Sequence, residues 1–280
     1  MTVEAKPTLA ELSALIVARL NREHDRLRSA FERSGIGRTR FAVIDDVLPV
    51  DIATSIWRAF PAVDKMRLLS SFREHKYTSK SLDTMDPLIH DALFAFQTSE
   101  VIAEVARITG IRDMVGDPKL YAGGISAMTK GHFLNPHIDN SHDFEGKRYR
   151  VLNLLYYVTP GWMSEFGGNL ELWDDRVRKR IEIPSVFNRL VIMETNQTSF
   201  HSVNEVKVEG TRCCVSNYYF SPHSPNGKDV FHITFFQGRP EQPLRRLLSA
   251  ADGYARNLLR RLVRRGLAKR DLYRDETPRS

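Results

Sequence analysis

The pattern of apolar and polar positions divides the chain into a helical N-terminal part and a strand-rich remainder. FAVIDDVLP, at residues 41–49, predicts a short strand ended by a proline, and helical stretches follow near 50–60 and 86–109, with a break at Gly110. Before this strand, apolar residues at helical spacing predict one or two helices over residues 8–33, closed by Gly35 and Gly37. These apolar positions are Leu9, Leu12, Leu15, Ile16, Leu20, Leu27 and Phe31.

From about residue 119 the pattern changes to short runs rich in Val, Ile, Leu and Tyr, separated by Gly, Pro and Asn. Runs of this length and spacing are typical of a β-sandwich or jelly roll. We therefore expect an α+β protein whose jelly-roll core occupies about residues 119–222, with the N-terminal helices packed on it. The runs are KLYAGGISAM, YRVLNLLYYVTP, GGNLELWDD, KRIEIPSVFNRLVIMET, SFHSVNEVKV and TRCCVSNYYFS.

Composition indicates a globular protein in a reducing compartment. The 280 residues are 42% hydrophobic and 10% aromatic, enough to bury a full core. No run of about 18 apolar residues is present, and Glu4 and Glu11 stand where a signal peptide would be basic and then apolar. The two cysteines, Cys213 and Cys214, are adjacent and cannot form a disulfide framework. A cytoplasmic location is the expectation.

The positive charge of the chain is concentrated at its C-terminal end. The formal net charge is +7, and residues 239–280 contain twelve Lys and Arg against five Asp and Glu, so the preceding residues are electrically balanced. A nucleic-acid-binding groove across the whole domain is therefore not expected. Within this segment, apolar residues on one stripe and arginines opposite predict a basic amphipathic helix over 244–263. Three roles stay open: packing on the core, contact with an anionic membrane surface or lipopolysaccharide precursor, and a nucleic-acid or ribosomal contact.

The stretch NPHIDNSHD, at residues 135–143, is the strongest chemical signal. His137 and Asp139 are two residues apart, so in a strand both side chains project from the same face. A facial Fe(II) site needs a second histidine from a distant strand, and His201 follows a predicted strand. Arg212, eleven residues further on, opens another strand and could pair with a carboxylate of a bound cosubstrate. The remaining candidate histidines are left out of the metal site: His132, His142, His223 and His232.

The order His-X-Asp, distal His and then Arg resembles the signature of the 2-oxoglutarate and Fe(II)-dependent oxygenases, in the prolyl-4-hydroxylase-like branch. FAVIDDVLP, YRVLNLLYYVTPGW, FGGNLELWD and NRLVIMET resemble blocks of bacterial relatives of the eukaryotic ribosomal-protein prolyl hydroxylases. The resemblance covers roughly Phe41 to Pro222 and implies a double-stranded β-helix core. One position departs from it, since Met128 stands where the family often has a tyrosine, nine residues before the first metal histidine.

The resemblance implies a role for each site residue. His137, Asp139 and His201 would hold Fe(II) as the catalytic metal ligands, and Arg212 would neutralise the distal carboxylate of 2-oxoglutarate. Asn153 is a further candidate for cofactor binding, because it alternates with Tyr157 on one face of a predicted strand. The expected cofactors are Fe(II), 2-oxoglutarate and O2, with ascorbate as a candidate stimulant. The expected reaction is hydroxylation of an unactivated C–H bond with release of succinate and CO2.

The substrate and the role of the basic segment stay open at this level. One hypothesis is a small-molecule or glycolipid hydroxylase, for example of the Kdo sugar of lipid A precursors, with peripheral attachment to the inner face of the membrane. The other is a prolyl hydroxylase of a ribosomal or translation protein. A degenerate binding module is the non-enzymatic alternative, and the intact set of metal ligands argues against it. The predicted organisation is an N-terminal helical segment (1–40), an oxygenase domain (41–238) and a basic amphipathic helix and tail (239–280). No oligomeric state is indicated.

Overall fold

A computed structural model of the protein describes residues 6–33, 35, 39–79, 81, 85–121, 123–225, 227, 231–242 and 246. Within this part, no helix is long and apolar enough to cross a bilayer. The predicted helices are present in the N-terminal part of the chain, and the stretch 8–33 forms two of them. The α-helices are α1 (Leu9–Arg22), α2 (His24–Arg33), α3 (Val50–Arg58), α4 (Pro87–Ala95) and α5 (Ser99–Thr109).

The strands described here join into a single antiparallel sheet. Its order is β1-β9-β6-β11-β4-β3-β5-β10-β7-β8, with β2 paired to β3 and β12 paired to β5. The sheet curls, which confirms the predicted α+β fold with a jelly-roll core. The strands are β1 (Phe41–Ile44), β2 (Arg67–Ser70), β3 (Glu74–Thr78), β4 (Gly124–Met128), β5 (Phe133–Ile138), β6 (Tyr149–Tyr157), β7 (Leu170–Trp173), β8 (Arg180–Ile183), β9 (Arg189–Glu194), β10 (His201–Val203), β11 (Arg212–Ser221) and β12 (Phe235–Phe236).

The two faces of the central strands have different partners. In β6, Leu152, Leu154 and Tyr156 belong to the main apolar core, which also contains the buried faces of the N-terminal helices. The alternate positions of the strand, which include Asn153 and Tyr157, face the inside of the curled sheet, where they line a cavity. Because side chains alternate along a strand, one face of β6 builds the core and the other builds the cavity.

The N-terminal helices owe their positions to local signals and to apolar faces. Thr8 and Glu11 form a reciprocal capping box at the start of α1. At the other end of this layer, α5 stops at Gly110, whose φ of 72° suits a left-handed C-terminal cap. Leu12 of α1 and Phe31 of α2 are fully buried in the core shared with the sheet. The helices therefore brace the outer face of the sheet and leave its inner face open for a site.

Two parts of the architecture were not predicted from the sequence. One is the hairpin of β2 and β3, which joins the sheet through β4 and β5. The other is the short strand β12, which lies beside β5 with Phe236 opposite His137.

The first residues of the predicted C-terminal segment contact the core. The Arg239 guanidinium lies 2.6 Å from a carboxylate oxygen of the fully buried Glu171. Arg246 donates to the backbone carbonyl oxygens of Arg176 and Val177 at 2.7 and 3.3 Å. The predicted amphipathic helix over 244–263 falls almost entirely outside the described residues, and the proposed domain limits stay a prediction.

Candidate active site

Two strand ends bring His137, Asp139 and His201 together. His137 is near the end of β5, Asp139 follows that strand directly, and His201 opens β10. The two histidines are opposite each other in the antiparallel register of β5 and β10, with ring centroids 4.1 Å apart. Their Nε2 atoms lie 3.6 and 3.4 Å from the Asp139 carboxylate, and the three candidate ligand atoms lie within 4.8 Å of one another. The structure thus gathers residues 62 positions apart into one group.

Backbone carbonyls set the tautomer of both histidines. His137 Nδ1 lies 3.0 Å from the carbonyl oxygen of Asn135, and His201 Nδ1 lies 3.0 Å from that of Ser199. A carbonyl oxygen only accepts, so each Nδ1 carries a hydrogen, and in the neutral ring Nε2 then keeps the lone pair. Burial, reinforced by His137, lowers the pKa of His201 to about 3. Both rings therefore direct Nε2 toward Asp139, and Nε2 of a neutral imidazole is an atom that divalent metals bind.

Two neighbours hold the Asp139 carboxylate in its ionised form. Burial alone would raise the pKa of Asp139, but the Arg150 guanidinium, aided by the two histidines, keeps it well below the usual value. The Asn153 amide donates to Asp139 Oδ2 at 2.8 Å, and an Arg150 terminal nitrogen lies 3.0 Å from the same oxygen. Because both contacts are made to Oδ2, Oδ1 is the oxygen left without these partners and free to bind a metal ion.

Arg212 faces the same cavity from the start of β11. It is 97% buried, and its Nε donates to the carbonyl oxygen of Gly168 at 3.0 Å. Its guanidinium carbon lies 4.8 Å from the centre of the Tyr157 ring. The Tyr157 hydroxyl is buried and has no hydrogen-bond partner among the described residues, and burial raises its pKa, so it stays protonated. A fixed guanidinium beside an unsatisfied hydroxyl is a fitting receptor for a carboxylate.

Met128 stands where the family often has a tyrosine, and the hydroxyl of another residue, Tyr157, lies near the same part of the cavity. Met128 is opposite Arg212 in the β4–β11 register and is buried against the cavity without offering a hydroxyl. Tyr157, on β6, supplies one beside the same arginine. The prediction that Asn153 and Tyr157 share the pocket face agrees with their positions, and the Asn153 amide is hydrogen-bonded to Asp139.

The cavity has a volume of about 540 Å³ and is lined by both halves of the curled sheet. Phe236 of β12 covers the metal-binding group, with its ring 5.1 Å from that of His137 and inclined by 19°. Arg150 of β6 also lies inside the cavity, with its guanidinium carbon 3.4 Å from the Tyr218 ring centre. Neither residue carried a motif that would have identified it.

The other candidate histidines lie elsewhere. His132 stacks on His75 with ring centroids 4.1 Å apart, and its pKa is lowered to about 4 by burial and by His75. His223 contacts the Asp113 carboxylate, and His142 the hydroxyl of Ser141. His232 is the last of the four, and its backbone is bound to Ser141. Within the described ranges, His137, Asp139 and His201 are the single His, Cys, Asp or Glu group with metal-site geometry.

Residues 123–220, which include all three of these residues and Arg212, match the sequence profile of the 2OG-Fe(II) oxygenase superfamily. This stretch is a 2OG-Fe(II) oxygenase domain. The prediction of the family and of the enzyme class is confirmed by this match. The donor set agrees with it, because two neutral imidazoles and one carboxylate on one side of a metal are the usual Fe(II) ligands of such oxygenases. The predicted cofactors Fe(II), 2-oxoglutarate and O2 are likewise confirmed for the oxygenase domain, while a role for ascorbate stays a prediction.

Sequence and structure relatives of the oxygenase domain include prolyl hydroxylases. Prolyl 3-hydroxylase OGFOD1 from Mus musculus is 37% identical over 89 residues, which cover 29% of this chain and 16% of the mouse protein. A prolyl 4-hydroxylase structure from Phytophthora capsici is similar with a TM-score of 0.54 and 16% identity, covering 89% of this chain and 78% of that one. A Pseudomonas putida prolyl-4-hydroxylase gives 0.52 and 14%, covering 74% and 98%. The structural matches establish the shared fold.

Proposed function

We propose that the protein is a 2-oxoglutarate-dependent hydroxylase that acts on a prolyl residue of a protein substrate. The observation that carries the reaction class is the convergence of three candidate Fe(II) ligand atoms within 4.8 Å, in a cavity that also holds the buried Arg212. The sequence similarity to the mouse prolyl 3-hydroxylase supports the choice of prolyl substrate.

In this proposal the protein supplies the metal ligands, orients 2-oxoglutarate and excludes water from the site. Fe(II) and 2-oxoglutarate, when bound, supply the oxidising chemistry that uses O2 and releases succinate and CO2. His137, Asp139 and His201 would hold the metal through the two Nε2 atoms and a carboxylate oxygen. Arg212 and the Tyr157 hydroxyl would bind the distal carboxylate of 2-oxoglutarate and thereby fix its direction.

Surrounding residues keep this arrangement in place. Asn153 and Arg150 restrain the Asp139 carboxylate through Oδ2. Phe236 stacks on His137 and excludes water from one side of the ligand group. A prolyl ring would enter from the side of the β2–β3 hairpin, which lines the rest of the cavity.

The test is an anaerobic titration with Fe(II) and 2-oxoglutarate, followed by aerobic incubation with prolyl peptides and mass spectrometry. We expect binding of both cofactors, succinate formation, and a gain of one oxygen on a prolyl residue of some peptides. His137→Ala is the matched inactive control. Succinate formation without oxygen gain on any peptide, but with oxygen gain on a glycolipid, would contradict the prolyl substrate. Failure to bind Fe(II) and 2-oxoglutarate would contradict the reaction class.

The competing substrate class is a membrane-associated sugar or glycolipid, such as a Kdo-lipid A precursor. The charge of residues 239–280 favours it, but two of the described residues of this segment, Arg239 and Arg246, contact the core. Cosedimentation with anionic vesicles at low and high salt tests it. Membrane association predicts salt-sensitive binding that is lost on deletion of residues 243–280, whereas packing predicts no binding and a lower melting temperature for the deletion variant. A cytoplasmic location is part of the proposal for either substrate class.

A further inference from the structure

The β2–β3 hairpin gives the cavity an unusual charge. Arg67 and Leu69 of β2 and Glu74, Lys76 and Thr78 of β3 line the cavity, whereas His75 and Tyr77 lie on the opposite face against His132. Arg73, in the turn between the strands, also lines it. The hairpin thus presents three cations to the space beside the metal-binding group, which we call the hairpin cations: Arg67, Arg73 and Lys76.

The formal charges of the described residues that line the cavity do not balance. Among the described lining residues, the cations are the hairpin cations with Arg150 and Arg212, and the acids are Glu74 and Asp139. Five positive and two negative groups leave an excess of three positive charges. Bound Fe(II) and 2-oxoglutarate carry opposite double charges, so they leave this excess unchanged. Focused in a partly enclosed cavity, such an excess attracts an anionic ligand.

The two deeper arginines already have roles in the proposed reaction, and the hairpin, with its three cations and Glu74, carries two of the three excess charges. Lys76 pairs with Glu74 at 3.1 Å. Burial opposes its charge, but Glu74, with smaller effects of Tyr218 and Asp139, raises the pKa of Lys76 above its usual value, and the ammonium stays charged. Arg67 has no ion-pair partner within 4.0 Å among the residues described. A half-buried guanidinium without a carboxylate is well placed to receive one from a ligand.

Arg73 links this region to the metal-binding group. Its guanidinium lies 4.9 Å from the centre of the Phe72 ring and 6.0 Å from that of Phe236. Phe236 in turn stacks on His137. A ligand that contacts the hairpin cations therefore lies next to the position where a substrate C–H bond would meet the metal.

We propose that the hairpin cations bind an anionic group of the substrate, which for a prolyl peptide is an Asp or Glu side chain close to the target proline. The inference rests on the proposed function and adds a selectivity to it. Arginine is suited to this task because its planar fork binds a carboxylate through two parallel hydrogen bonds. Peptides with basic residues at the same positions would be repelled.

The experiment uses the full chain loaded with Mn(II), which takes the place of Fe(II) without turnover, and 2-oxoglutarate. Binding of fluorescent prolyl peptides is followed by anisotropy, with matched sets carrying Asp, Asn or Lys beside the proline. We expect the Asp peptide to bind at least about tenfold more tightly than the Asn peptide at low salt, with the difference reduced at high salt. Arg67→Gln and Lys76→Gln should each reduce this ratio while leaving the affinity for 2-oxoglutarate unchanged. Arg58→Gln, an exposed cation on α3, is the matched control.

The outcomes separate the two proposals. Equal binding of Asp and Asn peptides, or an unchanged ratio in the Arg67→Gln variant, overturns the inference and leaves the prolyl hydroxylase proposal standing. If no peptide of any charge binds, the prolyl substrate fails, and tripolyphosphate becomes the probe. A rise in melting temperature that is lost in Arg67→Gln then supports an anion site for a phosphate-bearing substrate. No rise, or the same rise in the variant, overturns the anion site.

Discussion

Arg212→Ala tests the assignment of the cosubstrate-binding end of the cavity. The guanidinium is almost fully buried and uses Nε for the Gly168 carbonyl, which leaves its two terminal nitrogens for a ligand. A hydrogen bond to a charged group contributes about 1.5–3 kcal/mol, so two such bonds at the lower limit contribute about 3 kcal/mol. Solvent screening is small at this depth. The dissociation constant of 2-oxoglutarate should therefore rise by about a hundredfold.

Two further variants separate charge from geometry. Arg212→Lys keeps the charge but loses the fork, and we expect a smaller rise of about tenfold. Arg40→Ala removes a guanidinium paired with Glu194 on the opposite side of the sheet, so the affinity for 2-oxoglutarate should stay unchanged. A melting curve of each Arg212 variant records the separate loss of the Gly168 hydrogen bond, which contributes about 1.5–3 kcal/mol because its donor is charged.

The measurement is isothermal titration of the Mn(II)-loaded protein with 2-oxoglutarate, together with a Mn(II) titration of each variant. Metal affinity should be nearly the same in wild type and Arg212→Ala, because Arg212 touches none of the three metal-binding residues. An unchanged 2-oxoglutarate affinity in a folded Arg212→Ala protein would refute the reasoning. Arg150, the other buried arginine of the cavity, would then be the alternative anchor.

Three more changes test the site and its scaffold. His201→Ala should abolish turnover and weaken Mn(II) binding by at least about a hundredfold, measured by titration, because one of three ligands is lost. Asn153→Leu should weaken Mn(II) binding by about 10–100-fold, since Asp139 loses a donor, and unchanged metal affinity would argue against this positioning role. Gly167→Ala should lower the melting temperature far more than Gly146→Ala. Both glycines have positive φ, but a Cβ at Gly167 would clash with the backbone oxygen of Glu205, whereas a Cβ at Gly146 would meet no atom within 4 Å. Equal losses of melting temperature in the two variants would contradict this clash.

Much of the scaffold and the metal-binding group could be predicted from local sequence. Apolar periodicity and caps are short-range signals, so α1 to α5 follow from residues that lie close together in the chain. His137 and Asp139 share a strand face by spacing alone, and His201 and Arg212 could be added because each lies at the start of a recognisable strand. Gly167 and Gly168, directly before the LELW run, indicate a turn, and both have positive φ in the structure.

The position of Arg150 depends on the pairing of two strands. Tyr219 pairs with Leu152 and Phe220 with Arg150, so Val151 is an extra residue on β6. Such a bulge shifts the alternation of side chains by one position, which turns Arg150 onto the same face as Asn153. The alternation of apolar and polar residues in the sequence does not show this shift of side-chain direction, because the shift arises from the pairing register of β6 with β11.

The sequence by itself determined the helices, most of the strands and the candidate metal ligands, because these are carried by spacings of a few residues and by side-chain chemistry. Tertiary structure alone decided what surrounds them: Phe236 over His137, Tyr157 beside Arg212, and the β2–β3 hairpin at the cavity. These contacts join segments far apart in the chain, and they depend on strand order and register. A curled sheet decides which distant side chains share its interior, and that choice is set by packing of the whole domain.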